Sequence, residues 1–150
     1  MEHLLVDGYS ILHQWDELKP GRGRSLAAAR EALVLLLTRY HDARGGELTV
    51  VFDGRSLPPG GFPFKTGLRI LFSREGETAD AVIERMVGQA PKDSRFLVAT
   101  DDEMERSVVE SLGAHTISAQ ILRSMVRDAL KDLDAVLQKL AGRNRRFPRR

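Results

Sequence analysis

The chain has no cysteine. That absence removes disulfide frameworks, thiol nucleophiles, cysteine-built zinc sites and iron–sulfur clusters from the chemistry open to it. Long apolar runs are missing too: the run Leu33 to Leu37 ends at Thr38, far short of the ~20 residues a membrane-spanning helix needs. Met1, Glu2 and His3 do not open a secretory leader. The expectation is a cytoplasmic protein with no membrane contact. His3, His13, His41 and His115 are scattered without metal-ligand spacing. Neither Ser10 nor Ser107 has a local histidine partner for nucleophilic catalysis. Oxygen-ligated metals remain open.

What is present is the balance of one globular domain: 150 residues, 42% hydrophobic and 29% charged. A chain of this size buries enough surface to fold without a staple. The net charge of +2 is unevenly spread, because the stretch Arg143 to Arg150 holds five arginines and no acid. The rest of the chain carries 18 basic against 21 acidic residues. The sequence therefore divides into a domain over 1–141 and a basic tail over 142–150. Pro148 and the lack of an apolar stripe predict that this tail is disordered when free. An acidic body with a basic appendage points to a polyanionic partner.

Short apolar runs alternate with amphipathic stretches, the pattern of an α/β fold with a mainly parallel sheet flanked by helices. Leu4 to Asp7, Leu48 to Asp53, Leu68 to Ser73 and Phe96 to Thr100 read as buried strands, with a short edge strand at Ala114 to Ile117. Ser25 caps a helix whose apolar positions run from Leu26 to Tyr40, ending at Gly45 and Gly46. Thr78 caps another, stopped before Pro91. A helix opening at Asp101 to Glu103 is expected to bury Met104, Val108 and Leu112. Ser118 caps a long one reaching about Ala141. Trp15 reads as a core or lid residue.

Ligands in open parallel sheets bind beyond the carboxyl ends of the strands, and acids collect there. Asp7 and Asp53 end the first two strands, Asp101 and Asp102 follow the fourth, and Glu77 and Asp80 begin the helix after the third. Carboxylates gathered without cations repel one another, and a hard divalent ion removes that penalty. Mg2+ or Mn2+ is the natural resident, able to activate water and to stabilise phosphoryl transfer. Each acid also has a structural reading, as a turn residue, a helix cap or a favourable charge in a first helical turn. A phospho-acceptor receiver domain would need a lysine after the fifth strand, where the chain has His115, Thr116 and Ser118. A haloacid-dehalogenase-like phosphatase would need an acid where Tyr9 stands.

Val6-Asp7-Gly8-Tyr9, Val51-Phe52-Asp53, Arg74-Glu75-Gly76-Glu77-Thr78-Ala79-Asp80, Val98-Ala99-Thr100-Asp101-Asp102 and Leu112-Gly113-Ala114 with Ser118-Ala119 together resemble the YacP-like NYN-domain proteins of the PIN-like nuclease superfamily. The resemblance implies a PIN-like sheet and a metal-dependent endoribonuclease. For some relatives it implies cleavage of mRNA in association with the ribosome. It places metal-holding, catalytic aspartates on Asp7, Asp80 and Asp102, with Asp53 and Glu77 auxiliary; Asp101 stands where the family commonly has serine, an added carboxylate that either joins the metal group in place of a lost contact or caps the helix. Ser10 stands where the family commonly has asparagine, so a hydroxyl replaces an amide at a catalytic position.

Tyr9, beside these acids, is a candidate for stacking on a nucleotide. Arg22, Arg24, Arg55 and Lys65 on loops, with Arg143, Arg145, Arg146, Arg149 and Arg150 in the tail, are candidate phosphate contacts. The expected function is cleavage of single-stranded RNA. The alternative is a non-catalytic RNA- or ribosome-binding module that keeps the sheet and has lost turnover.

Overall fold

In a computed structural model, residues 2–21, 23–54 and 61–146 are described, with side chains through 142. Five parallel strands form one sheet in the order β3-β2-β1-β4-β5: β1 (His3–Asp7), β2 (Glu47–Phe52), β3 (Arg69–Phe72), β4 (Phe96–Ala99) and β5 (His115–Ile117). β1 lies at the centre, paired with β2 on one side and β4 on the other. The helices are α1 (Gly8–Gln14), α2 (Leu26–Arg44), α3 (Ala79–Gln89), α4 (Glu103–Ser111) and α5 (Ala119–Arg146). Among the described residues no helix is long and apolar enough to cross a membrane.

The two-residue period of a strand sorts side chains onto two faces. Leu4, Val6, Val50, Phe52 and Ala99 join a core with α1, α2 and α5. Leu5, Val51, Val98 and Phe96 join the other, with Ala79, Val82 and Ile83 of α3 and Val109 of α4. Trp15, 1% exposed, is a core residue, and its indole N–H donates to the carbonyl of Ala119 at 2.9 Å, tying α1 to α5. The expected caps are in place: Ser25, Thr78 and Ser118 accept backbone N–H bonds from Ala28, Ala81 and Ile121.

Two expectations need correction. Met104, Val108 and Leu112 are 81%, 38% and 46% exposed. α4 instead turns Glu105 and Val109 inward, a stripe displaced by one residue and therefore by about 100° around the helix. The long C-terminal helix, expected to end near Ala141, continues to Arg146. Gly142 weakens a helix without ending one, and arginine is a good helix former. Arg22, Arg55, Arg149 and Arg150, and the side chains of Arg143, Arg145 and Arg146, lie outside the described residues.

Gly8 follows Asp7 because nothing larger fits: a Cβ there would overlap the ring of Phe52, itself fully buried. Gly8→Ala should cost about 1–3 kcal/mol and lower Tm by roughly 3–10 °C. Adding Phe52→Leu should recover part of that loss. Thermal unfolding of the single and double variants checks both statements.

Candidate metal centre

The site sits where the sheet's connections diverge, beyond the carboxyl ends of β1 and β4, the usual ligand position in such sheets. Asp7 closes β1 and begins α1, its Oδ1 accepting the Ser10 N–H at 3.4 Å. It shares the face of Leu5, which is the face covered by α3 and α4. Asp80 lies in the first turn of α3 and Glu105 in the first turn of α4. Carboxylate oxygens of Asp7, Asp80 and Glu105 fall within 4.8 Å of one another.

Glu105 is 1% exposed and Asp7 6%. Thr100, fully buried at the end of β4, donates its hydroxyl to Glu105 Oε2 at 2.9 Å. Among the described residues Glu105 Oε1 has no hydrogen-bond partner although it is buried. Burial, reinforced by the neighbouring Asp7 carboxylate, pushes the Glu105 carboxyl far above the ordinary range. Burial also raises Asp7, to about 6, with the charge of Asp80 adding to the rise and the Glu105 bond opposing it. In the absence of a cation, this burial favours the protonated form of Glu105.

A buried carboxyl with a vacant oxygen, two more carboxylates at ligand spacing and no nitrogen or sulfur donor in the group suit a hard divalent cation. Asp7, Asp80 and Glu105 would supply its protein ligands.

The other predicted acids are engaged nearby. Asp53 Oδ1 accepts the Ala79 N–H at 2.6 Å and, with the Thr78 cap, fixes the start of α3 and hence Asp80. Asp101 Oδ1 accepts the Ala119 N–H at 2.8 Å, holding the start of α5. Asp102 is exposed and caps α4, its Oδ1 accepting from Met104 and Glu105 N–H at 2.9 and 3.2 Å. Glu77 pairs with Arg85 at 2.6 Å, and that bond, followed by the Arg74 N–H, holds its carboxyl below the usual range. Ser10 Oγ accepts the Asp101 N–H at 3.2 Å and lies 3.4 Å from Thr100 Oγ1, joining α1 to the loop after β4. Tyr9 is half-buried, its ring 5.4 Å from that of Phe52, while Lys65 is exposed and Arg24 half-buried.

Thus Asp7 and Asp80 come together, and the third member is Glu105, which sequence reasoning missed. Its signal was there: Glu105 and Val109 are one helical turn apart, and phasing the stripe through Val109 turns Glu105 inward.

The pattern of the YacP-like NYN domain matches residues 4–149. The chain belongs to this family. The NYN family is nuclease-like, with an RNA-related function. Uncharacterized protein YacP of Bacillus subtilis (strain 168) is 31% identical over 151 aligned residues, covering 98% of this chain and 84% of that protein. Crystal structures of Rae1 (YacP) from Bacillus subtilis and of a single-substitution mutant superpose with TM-scores of 0.83 and 0.81, at 27% and 28% identity. They cover 96% and 95% of this chain, and 84% and 85% of theirs. This chain, with its five-stranded parallel sheet, thus shares the fold of those structures.

Raised carboxyl pKa values mean that the folded state holds protons the unfolded chain releases. The stability they contribute is full below about pH 4 and is lost as pH rises through about 6 for Asp7 and further for Glu105. In metal-free buffer, Glu105→Gln should flatten this decline and stabilise the protein at pH 8 by roughly 1–3 kcal/mol. Tm measured from pH 4 to 9 in chelator tests it, and a variant no more stable than the parent at pH 8 contradicts the buried-proton reading.

Proposed function

We propose that this YacP-like NYN protein is a metal-dependent endoribonuclease of single-stranded RNA in the cytoplasm, acting on mRNA at the ribosome. The observation that carries the proposal is the buried group of Asp7, Asp80 and Glu105 at the sheet's ligand edge, in a chain of a nuclease-like family. Asp7, Asp80 and Glu105 would hold Mg2+ or Mn2+. When bound, such an ion lowers the pKa of water and offsets charge on a phosphodiester.

The chain's own residues do the rest. Thr100 orients Glu105 by the bond to Oε2. Asp53 and Thr78 fix the helix that carries Asp80. Ser10 ties α1 to the loop after β4, which makes it a positioning residue for Asp7. Asp102 caps α4 through Oδ1 and so fixes the start of the helix that carries Glu105. Tyr9 offers a ring for a base, and Arg22, Arg24, Arg55 and Lys65 offer cations for phosphates.

Cleavage of a mixed single-stranded RNA panel with Mn2+ tests the proposal. Asp7→Asn, Asp80→Asn and Glu105→Gln should each lose about 100-fold or more, since each removes a ligand, while Asp102→Asn, which keeps the capping oxygen, should lose about tenfold. A parent inactive with every divalent ion, yet binding RNA or ribosomes, would establish the non-catalytic module instead.

The C-terminal arginines are proposed to hold RNA. Each phosphate neutralised on a single strand contributes about −0.7 to the slope of log affinity against log salt. If three or four engage, truncation after Gly142 should flatten the slope by roughly 2–3 units. Cleavage at saturating RNA should stay near the parent value. An unchanged slope would place the phosphate contacts on the loops around the acids.

A further inference from the structure

Arg30 is a buried cation with no carboxylate to meet it. It lies just past the first turn of α2, 8% exposed, on the helix side that buries Ala29, Leu33 and Val34. Its guanidinium carbon stands 6.0 Å from the centre of the Phe72 ring. Its Nη1 is buried with no hydrogen-bond partner among the described residues. The ion-pair contacts of those residues are made by His3, His41, Arg44, Arg85 and Arg123, not by Arg30. The residues outside the described ones hold no aspartate or glutamate. An arginine keeps its charge when buried, a buried charge left unpaired is costly, and stacking on one ring offsets only part of that cost. The position calls for an anion from outside the chain.

Its place in the fold says which anion. α2 leads into β2 through Gly45 and Gly46, so it runs back along the sheet and Arg30, near its start, lies at the carboxyl edge. Phe72 is the last residue of β3, as Asp7 is of β1, and two strand spacings, roughly 10 Å, separate them. A row of rings joins the two places. Tyr9, two residues after Asp7, has its ring 5.4 Å from that of Phe52, and Phe52 lies 5.7 Å from Phe72, with Arg30 beyond. Tyr9 and Phe72 are half-buried, so both ends of the row reach the rim of the sheet. We propose that Arg30 receives a phosphate of the single-stranded RNA whose cleaved bond lies at Asp7, Asp80 and Glu105, with the RNA crossing the carboxyl edge along this row. The inference rests on the RNA reading above. A guanidinium fork pairs with phosphate oxygens through two parallel N–H groups, and Nη1 has no partner in the chain to give up. Such a contact fixes where the RNA lies on the edge and reads no base.

Binding of a labelled single-stranded RNA to the full chain, read by anisotropy in chelator across a range of salt, tests the proposal. Arg30→Met keeps a side chain suited to the Phe72 ring and should weaken binding about tenfold or more. The slope of log affinity against log salt should flatten by about 0.7, the contribution of one phosphate. Arg30→Lys, which keeps the charge without the fork, should keep most of the slope and lose part of the affinity. Without RNA, Tm of Arg30→Met should equal or exceed the parent's, since the variant removes an unpaired buried charge. Unchanged affinity and slope in Arg30→Met overturn the proposal. So does a clearly lower Tm, which would show that the chain itself satisfies Arg30. Inorganic phosphate that binds the parent as tightly as the RNA does, and Arg30→Met not at all, would assign Arg30 to a small phosphate ligand instead. Cleavage plays no part in these readings. A parent that binds RNA and never cuts it overturns the nuclease reading and leaves this one, whereas a parent that binds no RNA overturns this one.

Discussion

A carboxyl group taken out of water needs a proton or a cation, and Glu105 is where this fold concentrates that demand. It lies beside Asp7, with Asp80 completing the group, where the connections that leave the neighbouring strands β1 and β4 run to opposite sides of the sheet. Two like charges at such spacing in a poorly solvated site cannot both persist without compensation. A proton on one of the carboxyls is one solution, and a divalent ion is the other. The second is the one that the proposed function uses.

The surroundings serve to hold these three groups still. Gly8 allows the chain to turn over Phe52 immediately after Asp7. Asp53 and Asp101 spend an oxygen each on the first N–H of α3 and α5, and Asp102 caps α4. The acidic edge is thus built of two kinds of carboxylate. Asp53, Asp101 and Asp102, engaged with the starts of helices, are wall, and Asp7, Asp80 and Glu105, whose oxygens face one another, are site, although Asp7 also accepts the Ser10 N–H. Thr100 joins the two kinds, since its hydroxyl donates to Glu105 and accepts the N–H of Asp102.

Much of this was legible in the amino-acid order. The strands and the caps Ser25, Thr78 and Ser118 follow from local patterns, and the edge carrying Asp7 and Asp80 follows from strand ends in a parallel sheet. The division of the acids into wall and site was not legible, because a capping aspartate and a ligand aspartate occupy the same positions at the start of a helix. The phase of α4 also escaped. Val108 and Val109 are adjacent and equally apolar, so either can define the buried stripe, and Met104 and Leu112 favour the wrong choice by their hydrophobicity alone.

Sequence by itself determined the class of fold, the membership of four acid-bearing segments in one edge, and an oxygen-donor chemistry that follows from lacking cysteine and clustered histidine. These depend on period, composition and strand termini, which are local. Only the tertiary structure decided that Glu105 completes the group with Asp7 and Asp80 and that Arg30 is buried over Phe72 with no carboxylate beside it. Both depend on how a helix is turned against the sheet, and packing sets that relation, not any residue's own preference.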